Sequence, residues 1–213
     1  MEALPNDRTV ASADFVRLAK SGHVVLAFQP RGVLGEPPPN PNQLALGQYM
    51  PELLRAIIVG KTIIGMRVDD TLRAINWLIA RPDVDKSSII LYGKGAQGMA
   101  ALHAAAIDAR VTQIVIENTL VSYRMALATG LHKNLSEVAM PGVLNHYDVG
   151  DLLTAISPRP VFIVNPVNAM GQPVRDLIVS TELSAVFETD RHLGTPQRVR
   201  LLKRGFRDPL PIK

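Results

Sequence analysis

The stretch Ser87-Ser88-Ile89-Ile90-Leu91-Tyr92-Gly93-Lys94-Gly95-Ala96-Gln97-Gly98-Met99-Ala100-Ala101-Leu102-His103-Ala104-Ala105-Ala106 decides how the rest of the chain is read. A short apolar run meets a cluster of glycines, and an alanine-rich run of helix formers follows at once. That is the pattern of a buried strand turning sharply into a helix. Two chemistries use this geometry. One is the nucleophile elbow Gly-x-Ser-x-Gly, with a serine at the tip of the turn. The other is Gly-x-Gly-x-x-Gly, where backbone N–H groups and the helix N-terminus hold a pyrophosphate. Gly95 stands where an elbow would carry its serine.

Outward from this turn, strand and helix signals alternate. Residues 12–20 space Phe15, Val16, Leu18 and Ala19 as a helix ended by Gly22, and 23–28 is a continuous apolar run suited to a strand buried on both faces. Prolines exclude helix from 35–42. Pro51 opens a helix through Leu53, Leu54, Ile57 and Ile58. A clearer helix spans 67–81, with Val68, Leu72, Ile75, Leu78 and Ile79 on one face, and Pro82 stops it. After the central strand at 89–92 come a helix over 97–108 and a strand over 111–117. Residues 119–150 are mixed; then follow a short helix over 149–156, stopped by Ser157-Pro158-Arg159-Pro160, a strand over 161–164, a helix over 173–190 and a last strand over 197–203. This alternation predicts an α/β fold, a parallel sheet with helices on both faces, in a single domain over 1–213.

A chain of 213 residues with 47% apolar and 20% charged residues can bury one sizeable core. No apolar run approaches the ~18 residues of a membrane span, and Met1–Arg8 lacks a basic region followed by an apolar one, so the expectation is a soluble protein without a signal segment or membrane partner. The absence of cysteine excludes disulfides and thiolate chemistry and leaves the compartment open. The net charge of +4 is modest. Its densest cluster, Arg198, Arg200, Lys203, Arg204 and Arg207, alternates with Val199, Leu201 and Leu202 as a half-solvated strand would. Only Phe206 lies nearby for stacking, and no nucleic-acid partner is expected.

The order and spacing of several stretches resembles the α/β-hydrolases of the carbohydrate-esterase kind, acetyl xylan esterases and their relatives. The matching stretches are 22–36, with Arg31-Gly32 and Gly35-Glu36; Arg67-Val68-Asp69-Asp70 through Arg81-Pro82-Asp83-Val84-Asp85; the 93–98 turn; Ala106-Ile107-Asp108-Ala109-Arg110-Val111; and Tyr147-Asp148-Val149-Gly150-Asp151-Leu152-Leu153 through Pro158-Arg159-Pro160. Carried over residue by residue, the resemblance puts the family's serine on Gly95, its acid near Asn168, and its histidine within Gly205-Phe206-Arg207-Asp208, so that Arg207 takes the base position. None of the five histidines, His23, His103, His132, His146 and His192, falls where the family uses one. The resemblance also implies that the first strands are missing, because only about eleven residues precede the 12–20 helix. The chain then reads as a C-terminal fragment, a trimmed version, or one whose sheet a partner chain or a homo-oligomer completes.

The implied function is a hydrolase-fold protein without serine-esterase catalysis, binding or scaffolding a small-molecule, carbohydrate or acyl ligand. An elbow nucleophile sits in a strained backbone conformation costing on the order of 1–3 kcal/mol, which glycine adopts with little penalty. The plain alternative is that Gly93, Gly95 and Gly98 serve close strand–helix packing. A second functional reading takes Gly93, Lys94, Gly95 and Gly98 as a turn for NAD or NADP, with Glu117 at the end of the next strand meeting a ribose hydroxyl. Against it, an elbow that loses its serine to glycine creates the same pattern. A third is ester hydrolysis through other residues, Lys94 being the best-placed reactive side chain. No cofactor or metal is expected otherwise. Asp69 and Asp70 read as first-turn residues complementing a helix dipole, and Arg31 and Glu36 as fixing the proline-rich loop or lining a cleft. His146, Asp148 and Asp151 have the ligand types for a metal but no second cluster.

Overall fold

The computed structural model describes residues 7–32, 49–130, 132–133, 135–195, 197–205 and 208–212, with side chains from residue 13 onward. Eight helices and four strands follow in chain order among these residues: α1 (Asp7–Lys20), α2 (Met50–Ile58), α3 (Ile63–Ile79), β1 (Ile89–Lys94), α4 (Ala96–Ile107), β2 (Val111–Glu117), α5 (Tyr123–Ala128), α6 (Val149–Ala155), β3 (Val161–Val164), α7 (Asp176–Glu182), α8 (Ser184–His192) and β4 (Val199–Leu202). The strands form one parallel sheet in the order β1-β2-β3-β4. Their sequences are short apolar runs bounded by breakers, and such runs suit strands covered on both faces.

Helix α4 is apolar around most of its circumference, and eight of its twelve residues are buried. A helix of that kind belongs inside. It packs on β1, β2, α3 and α6, and α6 packs on α8, so α3, α4, α6 and α8 form one continuous layer. Ile114, Ile116 and Ile163 meet that layer in the main core with Met99, Leu102, Leu153 and Ile156, all at most 1% exposed. On the alternating positions of β2, Gln113 bonds to the Pro211 carbonyl and Glu117 to Arg204, which also holds Asp14 of α1. The C-terminal residues and α1 thereby reach the other face.

Local signals explain the helix ends. Thr62 caps α3 by accepting from the Gly65 N–H at 3.1 Å, and Asp148 and Asp151 form a reciprocal capping box at α6. Arg159 of the Pro-Arg-Pro breaker donates to the carbonyls of Asp108 and Val111, both at 3.0 Å, so it clasps the start of β2 beside β3.

Three expectations are corrected. The run 23–28 is not a strand: it pairs with nothing in the sheet, because strand composition does not supply a neighbouring edge. The helix expected over 173–190 begins at Asp176 and breaks at Leu183, whose ψ of 15° leaves the helical range. Helix α3 begins at Ile63, four residues earlier than expected, which puts Asp69 and Asp70 in its second turn and not its first.

Candidate functional site

The glycine turn sits at the C-terminal ends of β1 and β2. Gly95 has φ 60° and ψ −126°, between the end of β1 and the start of α4. Its N–H donates to the Glu117 carbonyl at 2.8 Å, and its carbonyl accepts from the Gly98 N–H at 3.1 Å and the Thr119 hydroxyl at 3.3 Å. The same step recurs along the sheet. Asn118, at φ 49°, donates its N–H to the Val164 carbonyl at 2.9 Å, and Asn165, at φ 47°, donates to the Leu202 carbonyl at 3.0 Å. Asparagine tolerates the left-handed region better than most side chains.

The three glycines have different reasons to be glycine. A Cβ on Gly93 would lie 2.4 Å from the Gln97 carbonyl oxygen, and one on Gly98 would lie 2.1 Å from the Thr119 hydroxyl oxygen. Those two positions permit the close crossing of β1 and α4, as the packing reading expects. A Cβ on Gly95 would meet nothing within 4 Å. There only the backbone dihedral favours glycine, and a side chain would project into open space.

Beneath the turn lies a buried charge cluster that sequence reasoning missed. Arg204 donates to Glu117 Oε2 at 2.9 Å and to Asp14 Oδ2, and the Tyr92 hydroxyl donates to the same Glu117 oxygen at 2.8 Å. All three charged side chains are at most 10% exposed. Burial pushes the Tyr92 hydroxyl far above its ordinary range, and the Glu117 carboxylate adds to the shift. Burial would lower Arg204, but Glu117 and Asp14 outweigh it and raise the guanidinium. The Asn165 side chain holds the Arg204 backbone, accepting from its N–H at 3.0 Å and donating to its carbonyl at 2.7 Å. The structure thus brings Gly93, Lys94, Gly95, Gly98 and Glu117 to one place, with Lys94 exposed and one Glu117 oxygen already engaged twice.

The other candidates separate from this turn. Asn168 pins a small loop: its side-chain oxygen accepts from the Met170 and Gln172 N–H groups at 2.9 and 3.0 Å. Arg207 and Glu36 lie outside the described residues. Arg31 grips Asp70 through its backbone N–H at 2.9 Å and its guanidinium, and its hydrogen bonds hold the Asp70 carboxyl below the usual carboxylate range. Asp69 adds a weaker contact to Arg31 at 3.3 Å. Arg31, Lys61 and Asp69 rim a groove of about 650 Å³ whose apolar lining includes Ile57, Met66 and Met140.

Arg67 is completely buried, donating to Glu137 at 2.6 Å and to the Gly32 carbonyl at 2.9 Å while lying over the Tyr49 ring. Burial raises the Glu137 carboxyl even against that guanidinium. His103 is buried, with Nδ1 2.7 Å from the Met99 carbonyl and Nε2 3.1 Å from the Tyr147 hydroxyl. Among the described residues no histidine hydrogen-bonds to the turn.

Asp148 accepts from the N–H groups of Tyr123, Arg124 and Val149 and from the Ser122 hydroxyl, and Asp151 accepts from the Asp148 N–H. These carboxylates therefore cap helices, and among the described residues no group of three His, Cys, Asp or Glu could hold a metal. The basic cluster near the C-terminus is dispersed among separate partners. Arg198 is buried on Asp190, Arg200 lies over Phe162, Lys203 meets Asp176 at 3.2 Å, and Arg204 lies in the cluster above. No helix among the described residues is long and apolar enough to cross a membrane.

A parallel sheet joined through helices, with a sharp positive-φ turn from β1 into α4, is the arrangement of an α/β-hydrolase fold, of which the described residues supply four strands. One solved structure shares this fold, and part of the chain is similar to a curated protein. It is 26% identical over 133 residues to "Putative hydrolase YtaP" of Bacillus subtilis (strain 168), over 62% of this chain and 44% of that protein. The chain therefore spans less than half the length of that curated relative. Among solved structures, a "putative acetyl xylan esterase" from Bacteroides fragilis NCTC 9343 superposes with a TM-score of 0.59 at 14% identity, over 73% of this chain and 40% of that one. A carbohydrate esterase family 15 glucuronoyl esterase from Caldicellulosiruptor kristjansonii aligns with a TM-score of 0.49 at 19% identity, over 68% and 45%. No protein-family model matches the chain.

Proposed function

We propose that the chain is an esterase-like α/β-hydrolase domain without serine-esterase turnover, which binds or scaffolds a carbohydrate or acylated small molecule. The observation carrying this reading is Gly95. The backbone keeps the positive-φ elbow conformation and the space above it is open, yet the residue has no side chain to attack an acyl carbon. Asn168, near which the resemblance puts the acid, spends its side chain on its own loop. The groove beside Arg31 and Lys61 supports the binding part, since apolar walls and a polar rim suit an acylated or carbohydrate ligand.

Turnover of a short-chain aryl acetate, compared with buffer and with a heat-denatured sample, tests the first part. Background rates are expected. A clear enzymatic rate would displace Gly95 from the nucleophile position and favour hydrolysis through other residues, Lys94 first. Titration with xylan oligomers and small esters tests the second part, and no binding at millimolar concentration would remove it.

A dinucleotide is the second reading, favoured by one observation: no side chain caps the N-terminus of α4, so its first-turn N–H groups suit a pyrophosphate. The engagement of Glu117 by Arg204 and Tyr92 weighs against it. If it holds, NAD(H) or NADP(H) raises the melting temperature and Gly95→Ala weakens the effect; indifference to both nucleotides removes it.

A further inference from the structure

Among the described residues, β1 pairs with β2 along one edge, and no other described strand pairs with it. The Ile89 carbonyl and the Gly95 N–H are both turned toward β2, where they meet the Thr112 hydroxyl at 3.0 Å and the Glu117 carbonyl at 2.8 Å. Backbone groups alternate in direction along a strand, so those of Ile90 and Tyr92 face the free edge. An edge of this kind, on an apolar strand of a parallel sheet, is a template for another strand.

A second element of the chain is also unpaired. Val24-Val25-Leu26-Ala27-Phe28 lies outside every helix and strand, and none of its backbone N–H or C=O groups has a hydrogen-bond partner among the described residues. Val24 and Phe28 are 43% and 44% exposed. The run is rich in the residues that form strands. Within one copy it is anchored at both ends. The His23 N–H donates to the Leu18 carbonyl at 3.1 Å, and α1 is held by Asp14 on Arg204; beyond the run, Arg31 is held on Asp70. Anchored in this way, the run does not pair with its own β1.

We infer that two copies of this chain associate through their sheets, the run 24–28 of each pairing along the free β1 edge of the other as a fifth strand. Each element supplies the backbone groups the other lacks, and because both belong to one chain, a single two-fold exchange satisfies both. The inference is independent of whether the site turns over an ester.

Sedimentation equilibrium of the 213-residue protein tests it, with a mass about twice 23.2 kDa expected. Val25→Pro and Leu26→Pro each remove an N–H, one from each alternating set, and clash with strand pairing. One or both should give a monomer. Neither N–H has a hydrogen-bond partner among the described residues of one copy, so far-UV circular dichroism and cooperative thermal unfolding should be retained. Amide exchange at residues 24–28, Ile90 and Tyr92 should be slower in the dimer than in the monomeric variant. A wild-type monomer at every accessible concentration overturns the inference. So does a dimer that survives both proline variants.

Discussion

The side-chain amide of Asn165 brackets the backbone of Arg204, accepting from its N–H at 3.0 Å and donating to its carbonyl at 2.7 Å. This fixes where the chain leaves β4, and it delivers the Arg204 guanidinium between Asp14 and Glu117. Glu117 in turn receives the Gly95 N–H on its backbone carbonyl. One chain of contacts therefore joins the end of β3, the residues after β4, helix α1 and the glycine turn. The turn keeps its shape because Glu117 beneath it is held by Tyr92 and Arg204, and Arg204 in turn by Asp14 and Asn165.

Arg204→Ala should therefore be among the most damaging single substitutions. It leaves the buried Glu117 carboxylate without its cation and Asp14 with only Arg17 at 3.7 Å, and breaking a buried ion pair from one side costs about 3–5 kcal/mol. Urea unfolding measures it directly. A loss below about 1 kcal/mol, the scale of exposed pairs, would mean that water reaches Asp14 and Glu117 and that the cluster does not fasten α1.

The glycines of the turn should separate by mechanism. Gly95→Ser has room for its side chain and pays only for the backbone conformation, on the order of 1–3 kcal/mol. Gly98→Ala instead drives a methyl group against Thr119, and overpacking typically costs about 1–3 kcal/mol. Thr119→Ala removes the hydroxyl responsible for the 2.1 Å contact, so the double variant should be more stable than the two single losses predict. Strict additivity for Gly98 and Thr119 in denaturant titrations would rule out the contact as the cause.

The strand–turn–helix and all four paired strands are legible in the sequence because each is an apolar run closed by glycine, proline or charge. The run 23–28 has the same composition and is not a strand, since pairing depends on an edge that lies elsewhere in the chain. Arg204 reads as one member of a basic surface cluster; its burial depends on Asp14, 190 residues away, which no local pattern reveals. Arg67 did leave a signal: it shares the helical face of Ile64, Val68, Thr71 and Ile75, a stripe that is buried. Asp148 and Asp151 read as metal-ligand types in the sequence, and their spacing as N-cap and N3 of α6 is the signal of the capping box that this reading passed over.

Asp148→Ala should uncap two helices at once. It strips an acceptor from the N–H groups of Tyr123, Arg124 and Val149 and from the Ser122 hydroxyl. Buried donors left unsatisfied cost ~1–3 kcal/mol each, so the loss should exceed that of an ordinary exposed N-cap, ~1 kcal/mol. Chelators should leave the wild-type melting temperature unchanged. A fall on adding EDTA would restore the metal reading of His146, Asp148 and Asp151.

His103 should give the protein a pH-dependent stability through the mildly acidic range. Burial of this α4 side chain lowers its imidazole below the ordinary value, and its hydrogen bond to the Met99 carbonyl only partly opposes this. The unfolded chain takes up a proton as the pH falls through ~6.5, while the folded protein still holds the ring neutral. The unfolded state then binds more protons, so stability is full above that range and declines as the pH falls toward the folded value. His103→Gln cannot take up that proton. Urea midpoints between about pH 8 and about pH 5.5 should fall more steeply for the wild type than for this variant. Parallel profiles would show that the imidazole takes up its proton as readily in the fold as in the unfolded chain.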